Sequence, residues 1–204
     1  VTAWDRGEMR VIAVYDEDEG RLDVRQSGQT VHVAAKGEWG EPVYGELELS
    51  VPRGMALELT GVSLAVSVEG SGGDVSVSTV EGGIVLVGGS GNIALNAVDG
   101  NVTLSGASGK IAVNAVEGDV NVSSADGAIA VTAVDGDVIL KSIDSDNVSV
   151  NSVDGDIGYE GTIQDGGRYV LSTHDGDLDV RIPDGANARI SIDTFSGDLE
   201  TDFP

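Results

Sequence analysis

The sequence contains no cysteine, only 4% aromatic residues, and 11 basic residues against 35 acidic ones. Without cysteine there is no disulfide framework, no thiolate metal site and no cysteine nucleophile. With so few aromatics, the core of a chain that is 40% hydrophobic must come from Val, Ile, Leu and Ala. That is the composition of thin, repetitive β structure. A formal net charge of -24 excludes a nucleic-acid partner, because phosphate binding needs clustered Lys and Arg, and it disfavours an anionic membrane surface. No apolar run approaches the ~20 residues of a membrane span and no signal peptide is present, so no membrane insertion is expected in this segment. The partners left open are cations, basic proteins and neutral surfaces such as glycans.

What the sequence has in quantity is glycine, 30 residues of 204, and from Gly73 it returns every nine: Gly82, Gly91, Gly100, Gly109, Gly118, Gly127 and Gly136. Fixed self-similarity of this kind marks a solenoid. Gly109-Lys110-Ile111-Ala112-Val113-Asn114-Ala115-Val116-Glu117 is a representative unit. Its third and fifth positions alternate apolar with outward residues, as a half-buried strand requires, and an acidic-glycine pair marks the turn. Alternate units resemble each other more closely than neighbours do. Ile93–Asp99, Ile111–Glu117 and Ile129–Asp135 form one class, while Val102–Ser108 and Val120–Asp126 form the other. The period is therefore 18, which predicts an all-β parallel β-solenoid with two strands per coil and two facing sheets. The six-residue period of left-handed helices is absent, and right-handed coiling is the default for parallel crossovers.

Residues 18 apart are expected to stack at about 4.8 Å. The expected ladders are Val80, Val98, Val116 and Val134 inside, and Asn96, Asn114 and Thr132 near a corner. One coil cannot fold alone, since each apolar side chain contributes only ~1.5 to 3 kcal/mol against ~1 to 2 kcal/mol per ordered residue. The register is expected to loosen at Ser145, which adds one residue, and at Ile163–Gly166, which suggest a loop. Residues 1–60 lack the glycine period but carry strand patterns at Met9–Val14, Leu22–Arg25, Val31–Val33 and Leu47–Val51, with a hairpin turn at Ser27-Gly28-Gln29. This segment, with Trp4 and Trp39, is expected to be a cap or irregular first coils. Residues 61–204 are expected to be the regular solenoid, closed by a cap carrying Phe195 and Phe203.

The opening Val1-Thr2-Ala3-Trp4-Asp5-Arg6, the Val51-Pro52-Arg53-Gly54 lead-in, the Val-Asp/Glu-Gly-Asp-Val repeats and the close from Phe195 to Pro204 resemble a bacterial family. It is a domain-of-unknown-function family of β-strand repeats labelled as adhesins. The resemblance covers nearly the whole chain and implies a β-helical fold. It also implies export to the periplasm, cell surface or medium, with a leader expected upstream of Val1. The polymerising bactofilins are a looser likeness, because their short coils lack the regular Asp-Gly corner.

The two corners of the coil differ in charge. One carries Glu81, Asp99, Glu117, Asp135 and Asp154 before the glycine, and Asp119, Asp137 and Asp156 after it. The other reads Ser90-Gly91-Asn92, Ser108-Gly109-Lys110 and Asp126-Gly127-Ala128. Carboxylates stacked at ~4.8 Å repel by roughly 0.9 kcal/mol per neighbour even in water. A divalent cation or a basic partner would relieve that repulsion, and oxygen ligands suit weakly bound Ca²⁺. The alternative is that Asp caps the turn and keeps the edge soluble. The Gly-Gly-x-Gly-x-Asp calcium roll is absent. An outward strip of Ser76, Ala94, Ala112, Ala130 and Ser149 is a second candidate contact surface for a protein or glycan.

His32 and His174 lie in no metal or nucleophile motif, so no catalytic residue, no cofactor and no enzymatic activity are expected. The reading is a non-catalytic adhesion or binding scaffold acting through its surface. The alternatives are a scaffold that self-assembles end to end or side by side, and a carbohydrate-active β-helix enzyme.

Overall fold

The computed structural model describes residues 1–15, 20–28, 30–37, 45–183 and 186, and all the regular structure among them is β. The strands β1 (Thr2–Trp4), β2 (Arg10–Tyr15) and β5 (Gly45–Pro52) lead into a series that alternates between two faces. One face holds β7 (Val66–Glu69), β9 (Ile84–Val87), β11 (Val102–Ser105), β13 (Val120–Ser123), β16 (Ile157–Gly161) and β18 (Leu178–Arg181). The other holds β6 (Leu57–Ser63), β8 (Val75–Glu81), β10 (Ser90–Asp99), β12 (Ser108–Glu117), β14 (Asp126–Thr132) and β17 (Arg168–Ser172). β15 (Val138–Asn151) crosses from the first face to the second, pairing with β13 and β16 at its start and with β14 and β17 at its end. Within both faces every pairing from β6 onward is parallel, so the chain forms the expected β-solenoid.

The register is the 18-residue step: Ile93 pairs with Val75 and Ile111, and Val102 pairs with Ile84 and Val120. The two halves of a coil are unequal, however. Strands of the first face are four residues long from β7 to β13, whereas β10 and β12 run for ten, because the ladder continues through the Ser-Gly corner. The step lengthens to 19 where Asp126 pairs with Asp144 but Ala128 pairs with Asn147, which is the insertion read at Ser145. It lengthens again at residues 162–167, so that Ile157 pairs with Leu178.

At the start of the chain, β1 runs parallel to both β5 and β7, and β2 runs antiparallel to β5. β3 (Gly20–Ser27) and β4 (Thr30–Gly37) form a separate antiparallel hairpin turning at Gly28. Trp39 and the phenylalanine-bearing close with Phe195 and Phe203 lie outside the described residues.

The core is a set of columns running through the stack. Val75, Ile93, Ile111, Ile129 and Val148 form one and Val77, Leu95, Val113, Val131 and Val150 the next. From the facing sheet come Ile84, Val102, Val120, Val138 and Ile157. Thr79, Ala97, Ala115, Ala133 and Ser152 complete the inward set near the corner. The valine column expected inside is a correction: Val80, Val98, Val116 and Val134 are 44, 45, 42 and 43% exposed. Position 79 is the last inward residue of β8, so alternation turns Val80 outward, and the next inward side chain is Ile84, beyond the turn.

Both glycine-rich corners need a left-handed backbone, and at both the stacked glycines are also tight, since a Cβ on Gly109 would lie 2.5 Å from the Gly91 carbonyl oxygen, but one neighbouring column is open. Gly136 has a φ of 130°, and a Cβ there would lie 2.5 Å from the Gly118 carbonyl oxygen of the coil below, so both the conformation and the stacking demand glycine. On the other side, Gly106 has a φ of 66° and its nearest neighbour atom would be 3.9 Å away. The same column therefore accepts Ser124 and Ser142, at φ 50° and 55°, in later coils.

Candidate functional site

Each coil leaves the second face through the same four residues: Ser78-Thr79-Val80-Glu81, Asn96-Ala97-Val98-Asp99, Asn114-Ala115-Val116-Glu117, Thr132-Ala133-Val134-Asp135 and Asn151-Ser152-Val153-Asp154. The parallel register turns this linear pattern into columns. Asp99 pairs with Glu81 and Glu117, Glu117 with Asp135, Asp135 with Asp154, and Asp154 with Asp175. The column is fixed by the main chain, since the N–H groups of Gly100, Gly118 and Gly136 donate to the carbonyls of Glu117, Asp135 and Asp154 at 3.0, 3.0 and 3.1 Å. All five predicted carboxylates of this column are exposed. Glu81 Oε2 accepts a hydrogen bond from Ser63 Oγ at 2.9 Å. Among the described residues, no side-chain hydrogen bond or ion pair holds Asp99, Glu117, Asp135 or Asp154.

The residues after the glycine do different work. Asp119 Oδ1 accepts the Asp137 N–H at 3.1 Å, Asp137 Oδ1 the Asp156 N–H at 2.9 Å, and Asp156 Oδ1 the Asp177 N–H at 2.8 Å. Each carboxylate thus satisfies a backbone donor that the turn leaves outside the strand ladder, and a charged acceptor makes the stronger bond. Asn101 heads the column in the same role, accepting the Asp119 N–H at 2.9 Å. So the structure brings all eight predicted site residues to one edge, in two adjoining columns, of which only the first presents unengaged charge.

Asn101 and Asp177 of the second column and Asp175 of the first were not singled out in the sequence. Their 18- and 21-residue offsets from the named acids were the available signal.

Beside the first acidic column stand the outward valines, and beyond them a neutral polar column in which Asn114 Nδ2 donates to Asn96 Oδ1 at 2.9 Å and Asn96 Nδ2 to Ser78 Oγ at 3.3 Å. The small-residue strip lies farther along the same face, with Ala94 paired to Ser76 and Ala112, and Ala130 paired to Ser149. His32 lies on β4 and His174 at the last described corner, so they belong to different parts of the fold. Among the described residues no group of three or more His, Asp or Glu side chains is disposed to hold a metal ion. A shallow depression lined by Ile139, Lys141, Tyr159, Asp179 and Arg181 holds about 30 Å³, far below the ~300 to 1,000 Å³ usual for small-molecule sites. Among the described residues no helix is long and apolar enough to cross a membrane.

Across residues 1–204 the sequence matches Toastrack DUF4097. The chain belongs to the Toastrack family. No curated protein and no solved structure matches it. As a domain of unknown function, Toastrack identifies the architecture without an activity, and the adhesin label implied by the resemblance is not part of what the match carries. Two of the motifs that carried the resemblance, the opening segment and the Val51-Pro52-Arg53-Gly54 lead-in, meet in space at the start of this Toastrack solenoid. Trp4 of β1 pairs with Pro52 of β5, Arg53 Nε donates to Asp5 Oδ1 at 2.6 Å, and the Arg6 guanidinium stands 4.8 Å from the centre of the Trp4 ring. These contacts tie the opening strand to the first coil, which gives the motifs a structural role.

Proposed function

We propose that this Toastrack domain is a non-catalytic binding or adhesion scaffold, acting outside the cytoplasm, that docks a cationic partner along its first acidic column. The observation that supports the reading is the contrast between the two columns. Asp119, Asp137 and Asp156 are engaged by backbone N–H groups, whereas Asp99, Glu117, Asp135 and Asp154 repeat in register and are exposed with no side-chain hydrogen bond or ion pair among the described residues. Their mutual repulsion costs about 0.9 kcal/mol per neighbour in water, and an arriving positive charge relieves it. A polycationic partner fits the column better than Ca²⁺, which takes 6 to 8 oxygen ligands and is served best by convergent carboxylates.

The test is binding of a labelled polylysine probe to the wild type, to an edge variant (Asp99→Asn, Glu117→Gln, Asp135→Asn) and to a control with equal loss of charge elsewhere (Glu46→Gln, Glu48→Gln, Glu58→Gln). The edge variant is expected to lose several-fold more affinity than the control, and binding should weaken with salt. Equal loss in the two variants would reject the edge as the docking site. A calorimetric titration with CaCl₂ that gave heat and a raised melting temperature would instead favour the metal. Fractionation of cells producing the full-length protein tests the extracytoplasmic placement.

A further inference from the structure

Val62, Val80, Val98, Val116, Val134 and Val153 stand on six successive coils at 67, 44, 45, 42, 43 and 50% exposure. Their alignment follows from the paired neighbours: Gly61 with Thr79, Ser63 with Glu81, Ala97 with Ala115, Glu117 with Asp135 and Asp135 with Asp154. Valine suits a strand anywhere, but stacking leaves close to half of each side chain in water. The strip therefore has an aliphatic seam, the acidic column along one flank and the Ser78, Asn96, Asn114, Thr132 and Asn151 column along the other. No Lys or Arg occurs in the six four-residue segments that build it, from 60–63 to 151–154.

We propose that this seam and its acidic flank form a docking strip for a cationic amphipathic α-helix lying along the stack. The proposal rests on the reading of the acidic column given above and adds the shape and apolar character of the partner. Spacing selects the helix. Ladder residues recur at about 4.8 Å. One helical turn advances about 5.4 Å, whereas same-side residues of an extended strand are about 6.7 Å apart. Apolar residues at i, i+3/i+4 and i+7 therefore keep pace with the valines far better than alternate residues of a strand. The six valines span roughly 24 Å, the length of about 16 helical residues. Charge selects the sign: a second copy of this chain would bring its own acidic column to the seam, whereas Lys or Arg on one flank of the helix would meet Asp99, Glu117, Asp135 and Asp154. The neutral flank defines which side of the helix carries the charge.

The probe is a synthetic 18-residue peptide with Leu at helical spacing and Lys along one flank, compared with a scramble of the same composition. Fluorescence anisotropy measures affinity and circular dichroism the helix content on binding. The amphipathic peptide is expected to bind about tenfold or more tightly than the scramble and to become helical. A Val98→Thr, Val116→Thr, Val134→Thr variant, whose outward isosteric changes should leave the melting temperature in place, is expected to bind both peptides at the level of the scramble. Val116→Lys, a single change in the middle of the seam, should do the same by repulsion.

Equal binding of the two peptides, binding without helix formation, or full affinity in both valine variants would overturn the docking strip. If the scramble still bound and lost affinity in the Asp99→Asn, Glu117→Gln, Asp135→Asn variant, the acidic-edge reading would survive that failure. If neither peptide responded to the acidic changes, both would fall.

Discussion

Tyr159 is the bulkiest of the fully buried side chains, and it replaces the Val122 and Leu140 of earlier coils at the point where the register is stretched. Its hydroxyl donates to the Thr162 carbonyl at 3.0 Å, and its ring meets Tyr169 edge-on with centroids 6.1 Å apart. Tyr169 in turn donates to the Ser145 carbonyl and accepts the Gln164 N–H, so the two phenols tie the Ser145 insertion to the 162–167 loop. Burial, with smaller contributions from Tyr169 and Asp144, pushes the Tyr159 phenol well above the usual tyrosine range.

The stability consequence has a definite sign. Below about pH 10 the phenol is protonated in both folded and unfolded chains, and its contribution is complete. Above that, the unfolded chain releases the proton while the folded one retains it, so stability falls as pH rises toward the folded value. Tyr159→Phe is expected to cost about 0.5 to 1.5 kcal/mol at neutral pH through the lost hydrogen bond. It should also flatten part of the alkaline decline, as read from urea denaturation of both proteins at neutral pH and above pH ~10.

Among elements, the acidic turns divide into carboxylates that complete the backbone and carboxylates that do not, and Asp137 separates these roles. It accepts from the Asp156 N–H while its own N–H donates to Asp119, so it links three coils. Asp137→Asn keeps an acceptor in place and removes a charge from a crowded edge, which Asn101 shows the turn accommodates. That change is expected to leave the denaturation midpoint unchanged or raise it. Asp137→Ala removes the acceptor and is expected to lower stability by about 1 to 2 kcal/mol with an unchanged m value. If both substitutions cost the same, a neutral acceptor at this position does not stabilise the turn and the capping role is wrong.

The whole molecule is a one-dimensional stack, so its stability is the sum of coils and the contacts between them. Deleting Asn101–Gly118 removes one complete coil and joins Gly100 to Asp119, reproducing the Gly118-Asp119 junction. This protein should fold, with a smaller m value in urea because less surface is exposed on unfolding. Deleting the nine residues Gly100–Ser108 removes only half a coil and moves every later strand to the opposite face. The four-residue and ten-residue strands would then be stacked on one another, and a large loss of stability is expected by the same assay. Similar stability of the two deletions would mean that the halves of the coil are interchangeable, contrary to their unequal strand lengths.

The period of 18, the parallel pairing, the Ser145 insertion and the meeting of Asp99 with Glu117 were all contained in the amino-acid order. A translational repeat assigns each residue its neighbour in the next coil without reference to anything distant. The sense of Val80, Val98, Val116 and Val134 was decided only by the folded chain. Alternation from 75 and 77 through 79 turns 80 outward, but an apolar residue there reads as core until the structure shows that the strand runs on to 81 and that the next inward position is 84. The division of the eight acids into capping and unengaged columns was tertiary for a related reason. Whether a carboxylate receives an N–H depends on how the next coil presents its turn, and Asp135 and Asp137, identical residues two positions apart, differ in that presentation.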